Sequence, residues 1–189
     1  MQLKKLAAVL LGSFAIAGSA SAVTFEGASG AAAVTDYSAA SLLSFDLDFN
    51  SLGNVLLNFT VEASDIGSTL SFNSLVRNFS GLGIDSTLFK ISGASFSGFG
   101  DISNDGFHAI TGSGKNASGG WATFAPGLTT EFYIGSPFDN SNDWSISLAG
   151  LNAGDTFSIM VAVPEPEQYA MLLAGLGLIG AAARRRKQG

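Results

Sequence analysis

Leu43, Phe45, Leu47 and Phe49 alternate with Ser44, Asp46 and Asp48, and only an extended chain puts all four apolar side chains on one face. Val55, Leu57, Phe59 and Val61 repeat the pattern, with Asn58, Thr60 and Glu62 opposite. Shorter runs of the same kind are Phe89–Ile91, Trp144–Leu148 and Phe157–Val163, and weaker ones are 69–76, 121–124 and 130–134. Gly, Asn, Asp and Ser clusters separate them, at 51–54, 98–106, 112–120 and 139–143, and these read as turns and loops. No helical period of useful length and no internal repeat interrupts the series. About eight short strands with one polar face each predict an all-β, single antiparallel β-sandwich or jelly-roll-like domain over residues 23–163. The run from 45 to 63, joined through Ser51 to Asn54, is expected to form a hairpin, and Asn152 to Asp155 a turn before the final strand. The body's 141 residues suffice to bury a core without disulfides. None can form, because the chain has no cysteine, which also excludes thiolate catalysis and Cys-containing zinc sites.

Charge is unevenly spread. Residues 23–163 hold 13 acidic side chains against Arg77, Lys90 and Lys115, a net charge of −10. Such a surface repels phosphate backbones, so nucleic acid is not an expected partner.

Both ends differ from the body. Lys4 and Lys5 precede an uncharged, mostly apolar stretch from Leu6 to Ala17, and Ala20-Ser21-Ala22 follows as a small-residue cleavage pattern. Residues 1–22 therefore read as a signal peptide for the Sec translocon and signal peptidase, with cleavage between Ala22 and Val23. At the other end, Pro164-Glu165-Pro166 stops any preceding strand, since each proline lacks an N–H donor. Tyr169 to Ala183 is then free of charge, and Arg184, Arg185, Arg186 and Lys187 follow at once. Fifteen helical residues span roughly 22 Å, short of a ~30 Å hydrocarbon core unless Tyr169 and the arginines reach into the interfaces. The basic cluster stays cytoplasmic, which puts the body outside, and the leader demands the same topology.

Residues 164–189 resemble the PEP-CTERM sorting signal of exported proteins in Gram-negative bacteria. The matching parts are Pro164-Glu165-Pro166, a short apolar transmembrane helix with Gly175, Gly177 and Gly180, and the terminal Arg184-Arg185-Arg186. The resemblance implies recognition by exosortase, a membrane-embedded processing enzyme, with a cut near Pro-Glu-Pro. It further implies transient residence in the inner membrane, transfer to the cell surface or medium, and a setting of exopolysaccharide and biofilm. It covers only the tail and assigns nothing to the body.

The body offers few candidates for chemistry. His108 is the one histidine, and no Gly-x-Ser-x-Gly elbow accompanies it, so a hydrolase ranks last among the readings. Asp101, Ser103 and Asp105 place oxygen ligands at alternate positions before Gly106, as the opening of a calcium loop does, and 139–143 is a second oxygen-rich loop. Ordinary Asx turns account for the same residues. No other cofactor is expected. Asp46 and Asp48 share one strand face at a spacing that a paired-carboxylate mechanism tolerates. Trp121, Tyr133 and Trp144 are candidates for stacking on sugars, with core packing as the competing reading. The expected function is a non-enzymatic, exported surface or matrix protein. The alternative is a carbohydrate-binding sandwich, calcium-assisted if the loops hold the ion.

Overall fold

The computed structural model describes residues 23–104, 109–125 and 130–164. Two sheets make up nearly all of it. One has six strands: β1 (Val23–Gly30), β4 (Gly53–Val61), β13 (Thr156–Val163), β6 (Ser86–Ser92), β10 (Gly119–Phe124) and β9 (Ile110–Asn116), paired in that order. The second runs β2 (Ala32–Asp36), β3 (Leu42–Phe49), β5 (Thr69–Asn78), β11 (Glu131–Ile134) and β8 (Ile102–Asn104). Strand β12 (Trp144–Ser147) also pairs with β5, beyond the end of β11, and β7 (Ser95–Gly98) pairs with β12. Thus β11 and β12 occupy one track along β5, interrupted by the 135–143 loop. A single 3₁₀ turn, Ala63–Asp65, follows β4.

Aromatic contacts across the two inner faces define the sandwich. Phe45 of the second sheet meets Phe59 of the first at 5.8 Å between ring centroids. Phe89 of the first meets Trp144 of the second edge-on at 4.7 Å, and Phe124 meets Phe132 at 5.4 Å. Offset and edge-to-face pairs of this kind add about 0.5–1.5 kcal/mol each beyond their burial. The alternating runs supply these inward residues, and the polar members of each run face outward.

Three expectations need correction. Strands β3 and β4 do not form a hairpin: β3 pairs with β2 and β5, and β4 with β1 and β13, in opposite sheets. Alternation fixes which face a strand buries and leaves its neighbour open, and here the two apolar faces meet across the core. The sandwich is also not wholly antiparallel. Strands β3 and β5 run parallel over Leu42–Phe49 and Ser71–Asn78, because β4 serves as their crossover in the other sheet. Finally, the stretches 98–106 and 112–120 contain β8, most of β9 and the start of β10, not loops alone. Gly114 lies in β9 because the Trp121 indole occupies the space beside it: a Cβ there would sit 2.4 Å from Nε1. Glycine in this strand makes room for a ring. The Asn152–Asp155 turn forms as expected, with the Asp155 amide donating to the Asn152 carbonyl at 3.0 Å and Gly154 at φ 88°.

Candidate functional site

The outer face of the second sheet holds a cluster of four charged side chains, Asp46, Asp48, Arg77 and Glu131. In β3, Asp46 and Asp48 point outward while Phe45, Leu47 and Phe49 enter the core, and the parallel register sets Arg77 of β5 beside Asp48. The guanidinium bridges both carboxylates, with Nε donating to Asp48 at 2.6 Å and Nη2 to Asp46 at 2.9 Å. On the other side of Arg77 stands Glu131 of β11, whose carboxylate accepts the Tyr133 hydroxyl. Three carboxylates therefore share one cation. The Asp48 hydrogen bond, more than any other interaction, holds Arg77 charged. Burial pushes Asp46 above the usual carboxylate value, Arg77 opposes this, and Asp48 and Glu131 add to it.

The gap between Asp46 and Asp48, where a paired-carboxylate mechanism would seat a glycosidic bond, is filled by the Arg77 side chain. The cluster therefore braces β3 against β5. The raised Asp46 value has a measurable consequence. The folded state binds a proton that the unfolded chain has released, so this residue's contribution to stability is complete below the unfolded value of 3.8 and is lost as pH rises through the folded value. Asp46→Asn is expected to flatten the stability profile above pH 3.8, read from urea midpoints at several pH values, relative to an otherwise identical control such as Asp36→Asn.

Trp121 and Trp144 have opposite fates. Trp121, 45% exposed, lies on the outer face of the first sheet beside Leu88 and Gly114. Trp144 is fully buried, ringed by Phe89, Phe96 and Phe99, with its indole N–H donating to the Asp101 carbonyl at 3.2 Å. No sugar can stack on it, which removes Trp144 from the glycan candidates. Tyr133 is half-buried and packs edge-on against the exposed Phe138 ring at 5.5 Å.

Described residues of both oxygen-rich loops accept hydrogen bonds from the protein's own donors. The Lys115 ammonium donates to the Gly100 carbonyl and to Asp101 at 3.1 Å, placing a cation where calcium would need the carboxylate. Ser103 sits in β8, paired with Tyr133. In the second loop, buried Asn73 of β5 donates to Asn140 and to Asp143, each at 2.9 Å, and accepts from Ser44. Asp143 also accepts the Ser136 amide, and Asp139 accepts the Ser141 amide, which lowers the Asp139 carboxyl below its usual value. Among the described residues no group of three or more His, Asp or Glu side chains is placed to hold a metal ion. Asp105 and His108 lie outside those residues.

At the tail junction, β13 pairs through Val163 with Gly53, and Pro164 follows directly. Its ring helps line a shallow, largely apolar pocket of about 500 Å³ with Leu88, Trp121 and Thr123. At the opposite end of the sandwich, Val23 is buried and pairs with Val61. The leader residues Ala20 and Ala22, the motif residues Glu165 and Pro166, the apolar stretch and Arg184 to Lys187 all lie outside the described residues.

The fold thus defines an all-β sandwich whose last core strand runs without a spacer into Pro164, where the tail begins. The PEP-CTERM protein-sorting motif matches this chain over residues 162–187. No curated protein and no solved structure matches the chain. The motif marks an exported protein with a membrane-anchored C-terminus that an exosortase processes, and it leaves the body without a family.

Proposed function

We propose that this is a non-enzymatic, exported protein that the signal peptide sends across the inner membrane, that the tail holds there, and that exosortase then releases to the cell surface or extracellular matrix. The observation that carries the reading is the placement of the sorting motif. It begins at Ala162, inside β13, so the motif starts within the folded body and the tail leaves from a fixed point. Partners in this route are the Sec translocon, signal peptidase, exosortase and the inner membrane, in an exopolysaccharide-producing biofilm setting. In cells, replacing both Pro164 and Pro166 by alanine is expected to leave full-length precursor in the inner membrane, seen by fractionation and immunoblot. Normal release of the double variant would contradict the reading.

A second reading, carbohydrate binding by the mature sandwich, is favoured by one observation: Trp121 lies exposed over glycine, beside a shallow apolar pocket. Retention of the mature protein on immobilised exopolysaccharide, lost in Trp121→Ala, would support it. Equal retention of both proteins, or of neither, would remove Trp121 as a glycan platform.

A further inference from the structure

The end of the sandwich from which the tail leaves is distinct in composition. Strands β3 and β5 finish there, β4, β6 and β11 begin there, and β13 ends there in Val163. Among the described residues the connections at this end are Ala31, 50–52, 79–85, 109, 125 and 130, and Asp85 is their one charged side chain. The turns at the far end hold Glu62, Asp65 and Asp155.

The exit end also carries apolar side chains pointed at solvent. Phe79 is 61% exposed and Leu82 59%, with Trp121 and Ile110 close to the same end. The 79–82 turn presents its residues with inverted polarity. The Asn78 side chain caps the turn from within, accepting from the Ser80 amide at 3.0 Å and donating to the Leu82 carbonyl. Ser80 accepts the Leu82 amide at 3.2 Å, and Ile84 anchors the strand that follows in the core. Polar groups thus fold inward to hold the turn while the two large apolar ones are held out.

Chain length says what this surface meets. Four residues lie between Pro164 and Tyr169, the start of the uncharged stretch, and the five steps from one to the other span at most about 18 Å even when fully extended. The strands of the body are longer, since nine residues of β4 cover roughly 30 Å. Before processing, the exit end is therefore the part of the body nearest the bilayer. Aromatic and leucine side chains on a surface whose described turns hold a single charge, Asp85, suit the headgroup boundary, and the far-end carboxylates are kept away from anionic lipid.

We propose that this end of the sandwich rests on the outer surface of the bilayer while the tail is inserted, with Phe79, Leu82 and Trp121 entering the headgroup region. The proposal rests on the anchored-precursor reading above. It gives the exposed apolar turn a purpose, because docking fixes the body's orientation and holds Pro164-Glu165-Pro166 at the membrane surface where a membrane-embedded enzyme cuts.

The test uses full-length precursor in phosphatidylcholine vesicles with brominated acyl chains, and reads tryptophan quenching. In a Trp121→Phe background, Phe79→Trp reports on the exit end and Ile66→Trp, 55% exposed in the native protein, on the far end; buried Trp144 is a common background. Leu82→Trp is a second exit-end reporter. Bromolipid is expected to quench the exit-end reporters at least about twofold more than the far-end one, with aqueous acrylamide giving the reverse order. Equal bromolipid quenching at both ends, in precursor that stays with the vesicles through an alkaline wash, overturns the docking proposal and leaves the anchor intact. Precursor that washes off overturns the anchor reading and the docking with it. Exit-end reporters shielded from acrylamide only when exosortase is added, with no bromolipid quenching, assign the surface to a protein partner and overturn the lipid assignment.

Discussion

Trp144→Ala is expected to cost about 3–5 kcal/mol, among the largest losses any single substitution in this body can produce. The indole is fully buried and is the largest enclosed side chain among the described residues. Three phenylalanine rings surround it, Phe89 and Phe96 within 5 Å centroid to centroid. Its N–H donates to the Asp101 carbonyl, and Gly100 and Gly120 lie against the ring: a Cβ on Gly100 would lie 2.3 Å from the Asn142 carbonyl oxygen and 2.6 Å from the indole, and one on Gly120 2.9 Å from Phe89 and 3.0 Å from the indole. Removal leaves a cavity that rigid strands on both sides cannot close, and it takes one of the two donors from the Asp101 carbonyl, which keeps the Gly135 amide at 2.8 Å. Thermal unfolding of the body should fall by on the order of 10 °C. Trp121→Ala, on the outer face of the first sheet, should stay within about 0.5–1 kcal/mol of wild type. Similar losses for the two would contradict the packing described.

Asn73→Ala is the second large effect, about 1–3 kcal/mol. Asn73 is fully buried on the outer side of β5 and uses both amide hydrogens, one on Asn140 and one on Asp143, while its oxygen accepts from Ser44. These bonds fasten the 135–143 loop over the gap between β11 and β12. Asn140 adopts φ 55°, a left-handed conformation that this tie helps to hold. Loss of the amide should therefore raise hydrogen exchange across 135–143 far more than across β13. Asn73→Asp should be worse than Asn73→Ala at neutral pH, since it sets a buried carboxylate beside Asp143, and the difference should shrink on acidification. Equal exchange in wild type and Asn73→Ala would show that the loop does not depend on this tie.

Much of the fold was legible in side-chain alternation. The phases of β3, β4 and β13 in the sequence are the phases seen in the core. The neighbours of those strands were not legible, because a period of two records burial and not pairing. Residues 51–54 carry turn chemistry that suits a hairpin and equally suits the step from one sheet to the other. Glycine misled in the opposite direction: in β9 and β10 it marks ring packing inside strands. The contrast between the tryptophans was available in principle. Trp144 shares the phase of Ile146 and Leu148, which are buried, whereas Trp121 is out of phase with Ala122 and Phe124. The ties made by Lys115 and Asn73 to the two oxygen-rich loops were beyond reach, because both residues lie far along the chain from most of the groups they satisfy, and Arg77 likewise lies about thirty residues from Asp46 and Asp48.

The tail was legible for another reason. A sorting signal is read by membrane machinery as a linear order of parts, so its information lies in sequence and needs no tertiary context. Its join to the body did need the structure. Val163 is buried and Pro164 half-buried, so cleavage within β13 would break core strand pairing, whereas a cut beyond Pro164 would leave the sandwich whole.

The most direct measurement is intact-mass spectrometry of the protein from cells with and without the processing enzyme. With the enzyme, the expected chain starts at Val23, retains all of β13 and lacks Arg184 to Lys187; without it, the expected chain has the same start and an intact basic end. A mature protein that keeps Arg184 to Lys187 and stays in the inner membrane while the enzyme is present would contradict the account.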